Sequence, residues 1–196
     1  MVKKTVAIFT TTRADFGILS PLIHAMERDS EIEPLVFVGG THLASEHGKT
    51  INEIKDLGIT VTDTFDYLLN DDDSFSLSKS MGIACFETAH VFRNHTFDYI
   101  CVLGDRFELL SIIINAILFK KPIIHISGGE KTEGIIDEQI RHMITKAAHL
   151  HFVACEEYGK NVERMGEPQW RIHNTGALNV EEMVRAGEIS KEVLYN

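Results

Sequence analysis

Short runs of β-branched and aromatic residues alternate along this chain with longer stretches of helical periodicity. Residues 5–10, 35–38, 60–62, 99–103, 123–126, 149–153 and 171–174 read as strands, the third being the weakest. Val6-Ala7-Ile8-Phe9 is apolar at every position, as a parallel strand covered on both faces must be. Between the strands, helices are expected over residues 17–27, 51–57, 75–94, 108–118, 137–148 and 156–165, with a last one starting near Val180. The first carries Leu19, Leu22, Ile23 and Met26 on one side. The long third one carries Leu77, Met81, Ile83, Ala84, Phe86, Val91 and Phe92, behind an acidic loop, residues 70–74, suited to capping it. The prolines and glycines are expected near element ends. Strand–helix alternation of this kind implies βαβ units, and so an α/β fold with a doubly wound parallel sheet.

A chain of 196 residues fits one domain. Its formal net charge of −10 opposes a role as a nucleic-acid binder, whose affinity rests on Lys and Arg at phosphates. A small phosphate-bearing ligand remains compatible, because a few placed arginines and helix N-termini suffice for one. Cys85, Cys101 and Cys155 are far apart and form no CxxC, which suits buried thiols in a reducing compartment. No apolar run approaches the roughly 20 residues of a membrane span, and the start leads directly into a strand rather than a signal peptide. A cytoplasmic location and no membrane partner are expected.

In an open α/β sheet, ligands collect beyond the carboxyl ends of the strands, so the loops that follow strands carry the candidate site residues. After the first strand stands Thr10-Thr11-Thr12-Arg13-Ala14-Asp15-Phe16-Gly17. It is neither GxGxxG nor GxxxxGK[ST]. Its hydroxyls and Arg13 at a helix start suit a diphosphate, or Arg13 is a solvated cation and Asp15 part of a helix cap. After the second strand, Gly39-Gly40-Thr41-His42 offers close backbone approach and an imidazole that is either a ligand donor or incidental. After the fourth, Asp105 in Gly104-Asp105-Arg106-Phe107-Glu108 is a general acid/base, an ion-pair partner or an N-cap.

After the fifth strand comes the densest cluster, His125-Ile126-Ser127-Gly128-Gly129-Glu130, continuing through Glu133 to Asp137-Glu138-Gln139-Ile140-Arg141-His142. Its glycines suggest a loop free to fold over a ligand. Arg141, four residues after Asp137, is placed to orient that carboxylate, as is His142. His125, inside an apolar strand, also reads as a core histidine. No HExxH motif, GxSxG elbow or cysteine beside a basic group directs the chemistry elsewhere.

Taken in register, Thr12-Arg13-Ala14-Asp15-Phe16-Gly17, Gly104-Asp105-Arg106-Phe107-Glu108, His125-Ile126-Ser127-Gly128-Gly129-Glu130 and the run from Gly134 to Lys146 resemble the motifs of hydrolysing UDP-N-acetylglucosamine 2-epimerases. The resemblance runs from about Thr5 to Leu178. It implies the Rossmann-like N-terminal half of a GT-B two-domain fold, with residues 1–178 as that domain and 179–196 as an interdomain crossover helix or the start of a second domain. It implies conversion of UDP-N-acetylglucosamine to N-acetylmannosamine and UDP, by C2 deprotonation, loss of UDP and hydration of a glycal. A related nucleotide sugar, such as GDP-N-acetylglucosamine or a UDP-diacetamido sugar, is the nearest alternative. A binding or assembly module inactive alone is another. By motif, Asp105, Glu130 and Asp137 are the catalytic carboxylates. Arg13, His42, Arg106, His125, Arg141 and His142 bind or orient substrate. No metal or cofactor is implied, and the full-length protein is expected to be a homo-oligomer. Some relatives carry an acidic residue where this chain has Ser127.

Overall fold

The computed structural model describes residues 2–69, 71, 73–132 and 136–180. Seven strands form one sheet in the order β3-β2-β1-β4-β5-β6-β7, and every pairing is parallel. In chain order the elements are β1 (Lys4–Thr10), α1 (Arg13–Arg28), β2 (Ile32–Gly39), α2 (Ile51–Asp56), β3 (Val61–Phe65), α3 (Ser74–Asn94), β4 (Tyr99–Leu103), α4 (Leu109–Leu118), β5 (Ile123–Ile126), α5 (Ile136–Ala147), β6 (Leu150–Val153), α6 (Glu156–Arg164) and β7 (Ile172–Asn174). The expected Rossmann-like, doubly wound sheet is therefore present. Strand order reverses between β1 and β4, which opens a crevice at their carboxyl ends. The expected helix from Val180, and residues 179–196 beyond Val180, lie outside the described residues, as do Glu133 and Gly134.

Period-two alternation on the strands builds two cores. Val6, Ile8, Val36 and Val38 face Phe16, Leu19 and Ile23 of α1 and Ile54 of α2. Ala7, Phe9, Phe37, Phe65, Ile100 and Val102 face α3, α4 and α5. Phe9 is central to the second core: its ring stacks on Phe37 at 5.0 Å, meets Phe65 edge-on at 5.8 Å and stacks on Phe92 at 6.1 Å. On the α1 side, no described helix covers the neighbouring strands fully, and a hollow of about 320 Å³ lies between Met26, Ile124, Phe152 and Leu178.

Two local expectations are revised. Helix α1 begins at Arg13 rather than Gly17, because Thr12 and Asp15 form a reciprocal capping box at its start. Pro21 lies inside α1 and Pro34 inside β2, not at element ends. The missing N–H of Pro21 deprives the Gly17 carbonyl of its helical donor, and the Ser20 hydroxyl reaches that carbonyl at 3.4 Å. Helix α3 buries Ala84, Val91 and Phe92 but leaves Ile83 and Phe86 at the surface. The acidic loop does cap α3: Asp73 accepts from the backbone N–H groups of Phe75 and Ser76.

Phe9→Ala removes the ring that joins these aromatic contacts. It is expected to lower stability by about 3–5 kcal/mol, as large-to-small core changes do. Urea unfolding followed by circular dichroism checks this. A loss below about 1 kcal/mol would contradict a central role for the ring in this core.

Candidate functional site

The loops after β1, β4 and β5 lie side by side around the β1–β4 crevice, and each is held in shape by a buried or half-buried charge. In the first loop the organiser is Asp15. Its carboxylate accepts from the Thr10 hydroxyl, from the Thr11 N–H and hydroxyl at 3.1 and 3.0 Å, and from the Thr12 N–H at 3.1 Å. Asp15 thus shapes the backbone that precedes Arg13. Arg13 itself is 75% exposed and pairs with Glu53 of α2 at 3.0 Å. Exposed pairs of this kind contribute about 0–1 kcal/mol, so an anionic ligand can compete for the guanidinium at little cost.

Asp105 and Arg141 join the other two loops. The Arg141 guanidinium donates through one Nη to the Asp105 carboxylate, and through the other to the Glu130 carbonyl at 2.8 Å and the Thr132 hydroxyl at 3.0 Å. Arg141 is buried. The sequence places it one helical turn from Asp137, yet it serves Asp105, thirty-six residues away in the chain. Asp105 is consequently an ion-pair partner and not an N-cap, since α4 begins only at Leu109. Glu130, in the β5 loop, and Asp137, in the first turn of α5, are both half-buried. His142 is half-buried and lies 4.0 Å from Glu138, one turn earlier in α5.

The glycines of the β5 loop serve close packing rather than freedom of movement. Gly129 has φ +79, and a Cβ there would lie 2.3 Å from the Tyr158 carbonyl oxygen of α6. Its own carbonyl accepts from Asn161 Nδ2 at 2.9 Å. A Cβ at Gly128 would press on His125 and Thr145 at 3.0 and 3.1 Å. Ser127 takes up a left-handed conformation, φ 64, unusual for a residue with a side chain, and its N–H donates to the Phe152 carbonyl at 3.0 Å.

Both central histidines lie behind the surface. His125 is fully buried; its Nε2 donates to the Gly104 carbonyl at 2.8 Å and its Nδ1 meets the Thr145 hydroxyl at 3.2 Å. The ring fastens the base of the Asp105 loop to α5. Burial brings its pKa down to about 4, against the opposing pull of the Gly104 hydrogen bond. His42 is also buried, with Nε2 on Thr10 at 3.0 Å and Nδ1 on Thr50 at 2.7 Å. Neither ring has a spare nitrogen, so each supports a loop instead of reaching the crevice.

The sequence reading passed over the Glu108 and Tyr67 side chains. Glu108 is 1% exposed and accepts from Arg106 Nε at 2.6 Å. Burial, the largest single effect, would lower the Arg106 pKa; the Glu108 charge and hydrogen bond, joined by the Tyr67 and Asp15 charges, together raise it. Tyr67 is buried, and burial followed by the Glu108 charge holds its phenol far above the usual range, so it stays a neutral donor. Glu108 had a signal in the sequence, as the last residue of the motif after β4; Tyr67 had none.

A pocket of about 390 Å³ lies apart from these groups, beside the β2 and β3 loops, between Ala44, His47, Asp66 and Leu69. It contains none of the organised carboxylates. Among the described residues no group of three or more His, Cys, Asp or Glu side chains is placed to hold a metal ion.

A Rossmann-like domain with a charged crevice at its switch point defines a class of ligand-binding α/β domain. Comparison with known proteins narrows it. The family model for UDP-N-acetylglucosamine 2-epimerase matches residues 24–195, and the chain belongs to that family. It is 38% identical over 178 residues to the GDP/UDP-N,N'-diacetylbacillosamine 2-epimerase (hydrolyzing) of Campylobacter jejuni, covering 91% of this chain and 46% of that protein. It is 33% identical over 193 residues to the UDP-N,N'-diacetylbacillosamine 2-epimerase (hydrolyzing) of Legionella pneumophila, covering 98% and 51%. The chain thus spans about half the length of these curated relatives. The crystal structure of the Neisseria meningitidis UDP-GlcNAc 2-epimerase bound to UDP-GlcNAc superposes with a TM-score of 0.79 at 18% identity, over 94% of this chain and 50% of that one. At that identity the likeness concerns the fold, one half of a GT-B arrangement.

The buried histidine gives a testable pH dependence. The folded-state pKa of His125 lies below its ordinary 6.5, at about 4. Between those values the unfolded chain binds a proton that the folded chain does not, so stability falls as pH drops through that window, by at most about 1.4 kcal/mol per unit for one group. His125→Gln should flatten this part of the profile, measured by urea unfolding from about pH 7 down to about 4.5. The same slope in both proteins would contradict a neutral buried His125; His151, lowered in the same direction mainly by burial, is common to both.

Proposed function

We propose that the β1–β4 crevice is the N-terminal wall of the active site of a hydrolysing nucleotide-sugar 2-epimerase. The observation that carries this reading is the Asp105–Arg141 pair, which fixes a carboxylate at the switch point between two loops whose motifs match the family. The substrate is a nucleotide-linked 2-acetamido sugar. A base removes the proton on C2 as the C1–O bond to the nucleoside diphosphate breaks, and the electron pair left on C2 forms the C1=C2 bond of a glycal. Water then adds its hydroxyl to C1 while a proton returns to C2 on the opposite face. The products are the epimerised free sugar and the nucleoside diphosphate.

The C2 proton is weakly acidic, so leaving-group charge must be neutralised as it develops. Arg13 and Arg106 are the residues for that task, one exposed and lightly paired, the other half-buried and held at Nε. Asp105, Glu130 and Asp137 supply the proton transfers. Arg141 orients Asp105, His142 borders the sugar, and His42 and His125 act through the loops they brace. UDP-N-acetylglucosamine, yielding N-acetylmannosamine, is the simplest substrate. The names of the two relatives described above favour a UDP-diacetamido sugar as a second reading.

The chain alone is expected to be inactive because the site is shared with a second Rossmann-like domain, and a cytoplasmic setting suits a nucleotide-sugar enzyme. Among the described residues no helix is long and apolar enough to cross a membrane. We further propose self-association through α3 and α4. Helix α4 carries no charged residue, yet Ile114, Ile117 and Leu118 share an exposed face, Leu118 at 70%, beside Phe86 of α3 at 64%. In a chain of net charge −10, an uncharged apolar face is where a second copy meets the least repulsion.

The chemistry is tested by joining this chain to the C-terminal half of the Campylobacter jejuni relative and assaying the fusion in D₂O. Nucleoside diphosphate release with deuterium at C2 of the free sugar is expected, and none from the chain alone. In the fusion, Asp105→Asn should lower kcat about 10²-fold or more, whereas Arg13→Ala should act chiefly on KM, by about tenfold. Normal kcat and exchange in the Asp105→Asn variant would make Asp105 structural only. For the interface, sedimentation velocity should give a dimer for the native chain and a monomer for Ile117→Glu; a native monomer would refute it.

A further inference from the structure

The site as read above leaves one buried carboxylate without a task. Glu108 occupies the position just before α4 and makes no capping bond there. It is 1% exposed and turns instead to Arg106, accepting from Nε at 2.6 Å. Its second oxygen, Oε2, is sealed from solvent and has no hydrogen bond of normal geometry among the described residues. Burial, followed by the Glu108 charge, holds the Tyr67 phenol far above its usual range. Tyr67 in turn is locked: its ring stacks on Phe65 at 5.7 Å, and its hydroxyl occupies the space that a Cβ on Gly40 would need.

Withdrawing a carboxylate from water is costly, and a buried ion pair rarely repays that by stability alone. What this pair does achieve is geometric. A guanidinium held at Nε by an immobile acceptor loses its freedom about the side-chain torsions but keeps both Nη groups. Among the described residues Arg106 has no other ion pair, and its side chain is 41% exposed at the β4 end of the crevice.

We propose that Glu108 is a positioning residue, which fixes Arg106 so that its Nη groups present to the diphosphate of the nucleotide. The inference rests on the functional reading above. Glu108 touches no substrate and acts only through Arg106. The rigid fork matters because a guanidinium binds a phosphate through two parallel N–H groups, and pre-setting their direction removes the ordering cost from the binding step.

The test uses the chain itself, with UDP as the probe. In ¹⁵N-labelled protein the Arg106 Nε–Hε signal should be resolved and slow to exchange, and it should move on titration with UDP. Glu108→Gln should broaden or lose that signal and weaken UDP about tenfold, the loss of one charge-assisted contact. Arg106→Ala should weaken it by a similar factor, and the double variant by no more than either alone, because one residue works through the other. Glu108→Asp, which keeps the charge but withdraws the acceptor by one methylene, should likewise lose the Nε signal; it serves if the Gln variant does not fold. Unchanged affinity and an intact Nε signal in either Glu108 variant, or a double variant weakened about a hundredfold, would overturn the inference alone. A native chain that shows no saturable response to UDP would overturn the site reading, and the inference with it.

Discussion

The site depends on the buried guanidinium of Arg141. It belongs to α5, but its hydrogen bonds go to Asp105 after β4 and to Glu130 and Thr132 after β5. Three separate pieces of backbone are thereby held in one arrangement around a carboxylate. A buried arginine with one charged partner and two neutral acceptors is energetically demanding. Its geometry explains why the β5 loop is so tightly built, with Gly129 against α6 and His125 tying the Gly104 carbonyl to Thr145. Loosen any of these and Asp105 loses its fixed direction.

The same logic recurs on the β1 side, with opposite charge. There a carboxylate, Asp15, gathers four donors from Thr10, Thr11 and Thr12 and so shapes the turn before Arg13. The crevice is framed by one loop set by an aspartate and two set by an arginine. The groups left partly exposed at its rim are Arg13, Arg106, Glu130 and Asp137, the cations and carboxylates given roles in the proposed chemistry. His42 and His125 are the inverse case: residue types suited to catalysis, but neutral and enclosed, employed as braces.

Much of the fold was legible because its signal is local. Continuous apolar runs such as Val6–Phe9 and Tyr99–Leu103, short and alternating with helical stretches, fit central parallel strands, and the loops behind them then fall on one edge of the sheet. What escaped the sequence was side-chain direction. Asp15 looks like an ordinary cap residue, and its role in the loop appears only when Thr10 and Thr11 turn toward it. Arg141 stands at helical spacing from Asp137, and periodicity cannot show that it reaches across to another loop. Pro21 and Pro34 broke the rule that proline marks element ends, one through a substitute donor from Ser20 and one ahead of the point where β2 meets β3 at Val36. Glycine pairs are equally ambiguous: Gly128-Gly129 reads as slack in the chain but is the tightest packing in the site.

In the proposed function, a nucleotide sugar is held at the β1–β4 switch point of this chain. Amide chemical-shift mapping during titration with UDP-N-acetylglucosamine tests it most directly. The perturbed amides are expected to cluster in the loops 10–15, 104–108 and 127–132, while the region around Ala44, Asp66 and Leu69 stays unperturbed. Shifts centred on that neighbouring pocket, or none near Asp105 and Arg13, would contradict it.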